Sequence, residues 1–368
     1  MRGWYFLSTV LGTFPLAHGD QHELKTRQNG GGNSIPIQIA NWCSTDIWPG
    51  ILTQGGNGPG TGGFHLSPGS NQSLSVSSNW QGRIWGRTNC TFGNGGGGSA
   101  CSTGDCAGAL SCQIAGQPPA TLGEFTLQGS DSQTFYDLSL VDGYNIPVAI
   151  VLLSNGNSQL QSLAGNKTNP SCVASVGDFA AQSNFDPYTG GQQFLGTSAS
   201  DPLQFETANS YSAVADWCPW DLQVNTPKAP GNGVYPYPDG NVQRPPFDPC
   251  YSACAKYNSD QYCCTGSYDG PGLCQPNYYS KAAKSMCPDA YSYAYDDASS
   301  TFVVPQGGGF QVIFCPGGRS TNILGLDTNS GSSSSGSRDA LVRVGWLLID
   351  ARLLKVGLAW VSVAVLLS

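Results

Sequence analysis

Fourteen cysteines in one chain constrain this sequence more than any other feature. The count is even, so every thiol can be paired, and eight of the fourteen fall between Cys172 and Cys287. Zinc spacing is absent. Cys263-Cys264 is a doublet, Cys101 and Cys106 are too far apart, and no histidine lies near either. A disulfide framework is the reading, and it requires an oxidising compartment. The N-terminus agrees: Arg2 precedes an apolar run from Trp4 to Phe14, Pro15 breaks it, and Ala17-His18-Gly19 ends it with small residues. Residues 1–19 therefore read as a signal peptide and 20–34 as a flexible N-terminus.

The pattern between cysteines is that of short strands. Forty-nine glycines, two methionines and 11% charged residues disfavour long helices. Alternating or continuous apolar runs predict strands over 35–40, 74–76, 82–87, 124–127, 134–140, 148–153 and 310–314, separated by Gly, Pro and Asn turns. The segment 172–287 is rich in Pro, Tyr and Asn. It predicts a loop-rich lobe held by bridges, with one helix over 279–286. Residues 175–215 lack signals and read as a loop insertion. A mainly β sandwich or barrel results.

A formal charge of −8 excludes a nucleic-acid partner, because phosphate binding needs concentrated Lys and Arg. Of three histidines only His65 lies in the predicted domain, which leaves no support for a Ser-His-Asp system. The glycines 95–98 are not followed by Lys and Ser or Thr, so no phosphate loop is read there. No cofactor and no metal is expected. Three sequons mark Asn71, Asn89 and Asn166 as glycosylation candidates. The C-terminal region reads as a Ser/Gly-rich linker over 317–340 and an apolar tail over 341–368. The tail contains Arg343, Asp350, Arg352 and Lys355 before a clean apolar run at 356–367. Small residues, a spacer and an apolar end form the pattern of a GPI-attachment signal, and with it attachment at a cell surface; the alternatives are a weak membrane-embedded tail or an unstructured end.

The segment Cys101-Ser-Thr-Gly-Asp-Cys106-Ala-Gly-Ala-Leu-Ser-Cys112 resembles the signature of the thaumatin-like proteins (the osmotin, or pathogenesis-related group 5, type). One departure is Ser99, where the family usually has Gly or Phe. Arg83-Ile-Trp-Gly-Arg-Thr-Asn-Cys90, Pro118-Pro-Ala-Thr-Leu-Gly-Glu-Phe125, Tyr136-Asp-Leu-Ser-Leu-Val-Asp-Gly143, Tyr262-Cys-Cys-Thr265, Cys287-Pro-Asp-Ala-Tyr-Ser292 and Phe314-Cys-Pro316 are similar to family segments, in the family order. The resemblance spans residues 35–316. It implies a β-sandwich core (35–88, 124–171 and 288–316), a small lobe (89–123) and the disulfide-rich lobe (172–287), with a cleft between lobes. It also implies the pairs Cys43–Cys315, Cys90–Cys101, Cys106–Cys112, Cys172–Cys287, Cys218–Cys250, Cys254–Cys263 and Cys264–Cys274, one pair fewer than plant members typically carry.

The family's cleft is lined by one Arg, one Glu and three Asp. The matching positions implied here are Arg83, Glu124, Asp137, Asp142 and Asp289. Hydrolysis of a glycosidic bond needs one carboxyl protonated and another ionised, and crowded carboxyls beside an Arg separate in pKa. Glu124 as acid with Asp142 as partner is the favoured pair. Each residue also has a plainer reading. Asp142 before Gly143 suits a turn, Asp289 after Pro288 suits a cap, and Arg83 suits a structural ion pair. Phe92, Phe135, Tyr136, Tyr144, Tyr278 and Tyr291 are either sugar-stacking rings or core. Three functions follow from the resemblance: an endo-β-1,3-glucanase, a non-catalytic glucan-binding module, or an antifungal protein that permeabilises membranes or binds protein partners. The expected form is a secreted monomer whose partner is a cell-wall polysaccharide such as β-1,3-glucan.

Overall fold

The computed structural model describes residues 34–93, 98–179, 209–226 and 249–327. The signal peptide, the apolar tail, and most of the N-terminal stretch and of the 175–215 insertion fall outside them.

Among the described residues, eleven strands form two sheets. They are β1 (Ser34–Asn41), β2 (Ile47–Gly55), β3 (Asn71–Ser77), β4 (Gln81–Thr88), β5 (Leu122–Thr126), β6 (Gln133–Ser139), β7 (Val148–Leu153), β8 (Ser171–Cys172), β9 (Ala290–Tyr291), β10 (Phe302–Pro305) and β11 (Gly309–Phe314). One sheet has the order β3-β1-β11-β7-β8. The other has the order β10-β6-β5-β4-β2, with β9 added beside β6. All pairings are antiparallel except β1 with β11 and β6 with β9. The first strand therefore lies beside the last, in the middle of its sheet.

The core lies between the sheets because each strand alternates. Ile35, Ile37 and Ile39 from β1, Phe310, Val312 and Phe314 from β11, and Val148 and Ile150 from β7 face Ile84, Phe125, Tyr136 and Leu138 of the other sheet, all buried. Aromatic rings fill its centre, with Phe310 at 5.2 Å from Phe125 and 4.9 Å from Tyr136 between centroids. Tyr136 and Tyr144 are fully buried and belong to this core, which removes them from the sugar-stacking candidates. Their hydroxyls are satisfied inside it: Tyr136 donates to the Thr168 carbonyl at 2.5 Å, and Tyr144 pairs with Ser175 Oγ at 3.0 Å.

The outer face of the second sheet is covered at one end by the loop that carries the cysteine signature. Trp85 of β4 is buried there among Cys106, Cys112, Ala120 and Leu122, and its indole N–H donates to the Gly104 carbonyl at 2.7 Å. Asp105 of the Cys-Ser-Thr-Gly-Asp-Cys motif is 2% exposed. Its carboxylate accepts the backbone N–H groups of Ala100, Cys101 and Gly108, so this acid folds the loop. Arg87, fully buried, donates to the carbonyls of Trp48, Pro49, Ala109 and Leu110 and fastens that loop to β2.

Seven disulfides join the pairs implied by the resemblance, from Cys43–Cys315 to Cys264–Cys274, and no described cysteine is free. Among its described residues the disulfide-rich segment carries short helices, the longest being Tyr278–Met286, opened by a reciprocal cap between Asn277 and Ser280.

Three expectations are corrected here. The folded region does not stop at 316: Arg319, Ser320, Thr321 and Ile323 are buried, and a helix spans Ile323–Asp327. The proposed linker over 317–340 therefore loses its first eleven residues to the domain. Asn166 is 5% exposed, tucked into the turn Gly165–Thr168, which leaves no room for a glycan; Asn71 and Asn89 are exposed. Asp289 is 1% exposed and faces neither solvent nor the other acids. It accepts the backbone N–H groups of Ile323 and Leu324 at 2.8 and 2.9 Å, capping the last helix. Desolvation raises its pKa, opposed by those hydrogen bonds, by Thr321 and by Lys284. Asp289 is a structural carboxylate and leaves the cleft set.

Candidate functional site

Strand register assembles the site. Arg83 of β4 pairs with Glu124 of β5, which pairs with Asp137 of β6. Their sequence neighbours Ile84, Phe125, Tyr136 and Leu138 point into the core, so these three point to the opposite face, one beside the next. Three residues from separate stretches of chain thus form a row across the sheet. Leu52 of β2 continues it on the far side of Arg83.

Asp142 joins the row by a turn. After β6 the chain bends at Val141-Asp142-Gly143, closed by the Gly143 N–H donating to the Leu140 carbonyl at 2.9 Å. Gly143 has φ +101°, and a Cβ there would meet the Cys250 carbonyl oxygen at 2.4 Å. Only glycine permits this turn against the disulfide-rich segment, where Tyr144 and Cys250 exchange backbone hydrogen bonds at 2.8 Å. The bend brings the Asp142 carboxylate onto the Arg83 guanidinium: Nη1 is 4.0 Å from Asp142 Oδ2, and Nη2 is 3.2 Å from Glu124 Oε1. Side-chain exposures of 16% for Arg83, 29% for Glu124 and 31% for Asp142 leave all three reachable from solvent.

A fourth acid belongs here that the sequence reading missed. Asp297 acts on Asp137 electrostatically and accepts the Tyr291 hydroxyl at 2.8 Å. Tyr291, on β9 beside β6, also feels both Asp137 and Asp297, and its hydroxyl accepts that of Thr301. Asp296, the other half of the doublet, is engaged elsewhere. It pairs with Lys284 at 3.1 Å and accepts the N–H and hydroxyl of Ser292. The signal for Asp297 was the Asp296-Asp297 doublet six residues beyond Tyr291.

One cation serves several acids, so the charges do not balance. Burial pushes the Asp137 carboxyl well above the usual carboxylate range, and Glu124 and Asp297 push it further while Arg83 opposes them. Burial raises Asp142 to about 6, opposed by Arg83 and aided by Glu124. The Arg83 pKa is itself raised, chiefly by Glu124. One oxygen of Asp137 and the Arg83 Nε are buried with no hydrogen-bond partner among the described residues. The group therefore holds an ion pair, Arg83 with Glu124, beside carboxyls that keep protons into mildly acid pH. A proton donor next to a carboxylate is what acid–base chemistry on an acetal requires. Among the described residues no group of three or more His, Cys, Asp or Glu is placed to hold a metal ion.

Of the remaining aromatic candidates, Tyr291 borders this group, and Phe135 lies on β6 two residues before Asp137, partly exposed. Phe92 packs instead over Arg87 at 5.3 Å and near Trp48 at 6.5 Å, and Tyr278 lies on the disulfide-rich segment.

Comparison with known proteins gives consistent results. The chain is 38% identical over 280 residues to pathogenesis-related thaumatin-like protein 3.5 of Cryptomeria japonica, covering 76% of this chain and 88% of that one. It is 36% identical over 278 residues to pathogenesis-related protein 5 of Arabidopsis thaliana, covering 76% and 89%. Among solved structures, a laminaripentaose-producing β-1,3-glucanase in complex with laminaritetraose overlaps 77% of this chain and 99% of its own at 13% identity, with a TM-score of 0.34. An overlap that loose says nothing about activity. The sequence model of the Thaumatin family matches residues 41–316, three-quarters of the chain, and the chain belongs to that family.

Proposed function

We propose that this is a secreted thaumatin-family protein of cell-wall defence or remodelling that binds β-1,3-glucan at the acidic row and hydrolyses it. The observation that supports this is the alignment of Arg83, Glu124 and Asp137 across three strands, with Asp142 turned onto the same guanidinium. Seven disulfides favour an oxidising, extracellular setting.

This reading exchanges the roles expected from sequence. Asp142, raised to about 6, is the general acid that protonates the leaving glycosidic oxygen. Glu124, ion-paired to Arg83 at 3.2 Å, is the carboxylate that meets the developing positive charge at the anomeric carbon, as base or nucleophile. Asp137, its proton affinity raised by burial, is a second proton store beside Glu124. Activity carried by a protonated Asp142 falls as pH rises through about 6.

The test is incubation of the purified protein with linear β-1,3-glucan, measuring both depletion onto insoluble polymer and soluble reducing ends. Glu124→Gln is expected to lower product release by about a hundredfold or more with depletion retained. Depletion without release by the wild type would restrict the function to binding. Neither depletion nor release would remove glucan from the reading.

A further inference from the structure

We propose that Tyr257, Tyr262 and Tyr278 form a second sugar-binding surface, on the disulfide-rich segment, that stacks against a neutral β-linked pyranose chain. The choice of β-1,3-glucan as its polymer rests on the proposed function; the surface itself does not involve the acidic row.

The three rings are neighbours, with centroids 6.0 Å apart for Tyr257 and Tyr262 and 6.1 Å for Tyr262 and Tyr278. None is buried, and Tyr257 is 48% exposed. They come from separate turns of chain: the end of the helix Ala253–Tyr257, the helix Asp260–Cys263, and the first residue of Tyr278–Met286. Cys254–Cys263 ties the first two together, and the Asn277–Ser280 cap fixes the start of the third.

One carboxylate orients the outer pair. Asp221 Oδ2 accepts the hydroxyls of both Tyr257 and Tyr278, at 2.5 and 2.6 Å. A half-exposed tyrosine gains little from burial, yet here its hydroxyl is committed to a hydrogen bond that holds the ring still. Rings already immobilised lose little further freedom when a ligand arrives. Tyrosine presents an apolar face at low conformational cost, the surface that the C–H face of a pyranose fits. Asp221 Oδ1 takes no hydrogen bond from the described residues, so it remains an acceptor for a sugar hydroxyl. The carboxylate also disfavours an anionic polymer, which selects a neutral one.

The experiment compares retention on insoluble linear β-1,3-glucan for four full-length proteins: wild type, Tyr257→Ala/Tyr262→Ala, Glu124→Gln/Asp137→Asn, and the combination. Removing two stacking rings is expected to weaken retention about tenfold in both backgrounds. Tyr257→Phe, which keeps the ring and frees it from Asp221, is expected to weaken it by about threefold. Tyr257→Ala alone, at a half-exposed position, serves if the double variant fails to form its disulfides. Retention unchanged by the tyrosine substitutions overturns the inference, as does absence of retention by all four proteins. Retention that falls with the tyrosines while Glu124→Gln/Asp137→Asn alters neither retention nor product release leaves this surface standing and removes the acidic row.

Discussion

Asp142→Asn is the perturbation that reads the acidic row most directly. In the wild type burial raises the Asp142 carboxyl from 3.8 to about 6, against the pull of Arg83. At about 1.4 kcal/mol per pH unit that displacement corresponds to about 3 kcal/mol. The side chain is 31% exposed, and solvent screening reduces the figure to about 2 kcal/mol. The sign follows from proton uptake. Between about pH 4 and about pH 6 the folded protein holds a proton at Asp142 that the unfolded chain has released. The contribution to stability is fully present below the unfolded value and is lost as pH rises through the folded one. Asparagine has no proton to lose. The unfolding free energy of wild type minus variant should therefore shift by about 2 kcal/mol in favour of the wild type on going from about pH 7 to about pH 4. Urea unfolding at several pH values, followed by tryptophan fluorescence with no reductant, measures it. Subtraction removes the other titrating groups as long as they are unaffected by the substitution. A difference flat to within about 0.5 kcal/mol, or one of opposite slope, refutes the assignment of a raised proton affinity to Asp142.

Asp289→Ala is expected to cost about 2–4 kcal/mol by orphaning the N–H groups of Ile323 and Leu324, with glucan retention unchanged; loss of retention in a folded variant would return Asp289 to the site. Gly143→Ala should destabilise by about 2–4 kcal/mol in chemical unfolding, since the new Cβ meets the Cys250 carbonyl at 2.4 Å with φ at +101°. A midpoint equal to wild type would mean that the turn relaxes. Replacing Cys43 and Cys315 together by Ala opens a loop of 272 residues and is expected to cost about 5–6 kcal/mol in the chain-entropy account; an unfolding midpoint unmoved by this change would contradict it.

Much of the fold was legible. Seven strand segments lie where apolar alternation placed them, most extended by one to three residues, and the helix over 279–286 begins one residue earlier, at its Asn277 cap. β2 was missed because Pro49-Gly50 reads as a turn. Proline is tolerated there because β2 ends its sheet and is met on its other side only by isolated bridges, Ile47 with Leu66 and Gly50 with Gly63, and Gly50 is required because the Trp85 indole lies 2.4 Å from where a Cβ would be. The two-residue strands β8 and β9 carry no periodicity to detect. At the site, Glu124 and Asp137 were identifiable as acids in strands. Their alignment with Arg83 depends on the register of β4, β5 and β6, which apolar alternation fixes only to a choice of face. Asp142 was legible as a turn residue before Gly143, and the bend there directs it onto Arg83. Asp289 was misplaced because a carboxylate after Pro looks alike in sequence whether it lines a groove or caps a helix. The helix it caps lies 34 residues downstream, past the end of the family match.

The parallel pairing of β1 with β11 also has a consequence for biosynthesis. The segment Ile37–Asn41 finds its partner only when Phe310–Phe314 has been made, and β7 reaches β1 only through that same strand. Until the final strand leaves the ribosome, this sheet can be no more than two fragments, a β3-β1 ribbon and a β7-β8 ribbon, with an empty lane between them. Such non-local closure is slow, so the growing chain must be kept from pairing its open edges with other chains until translation is nearly finished.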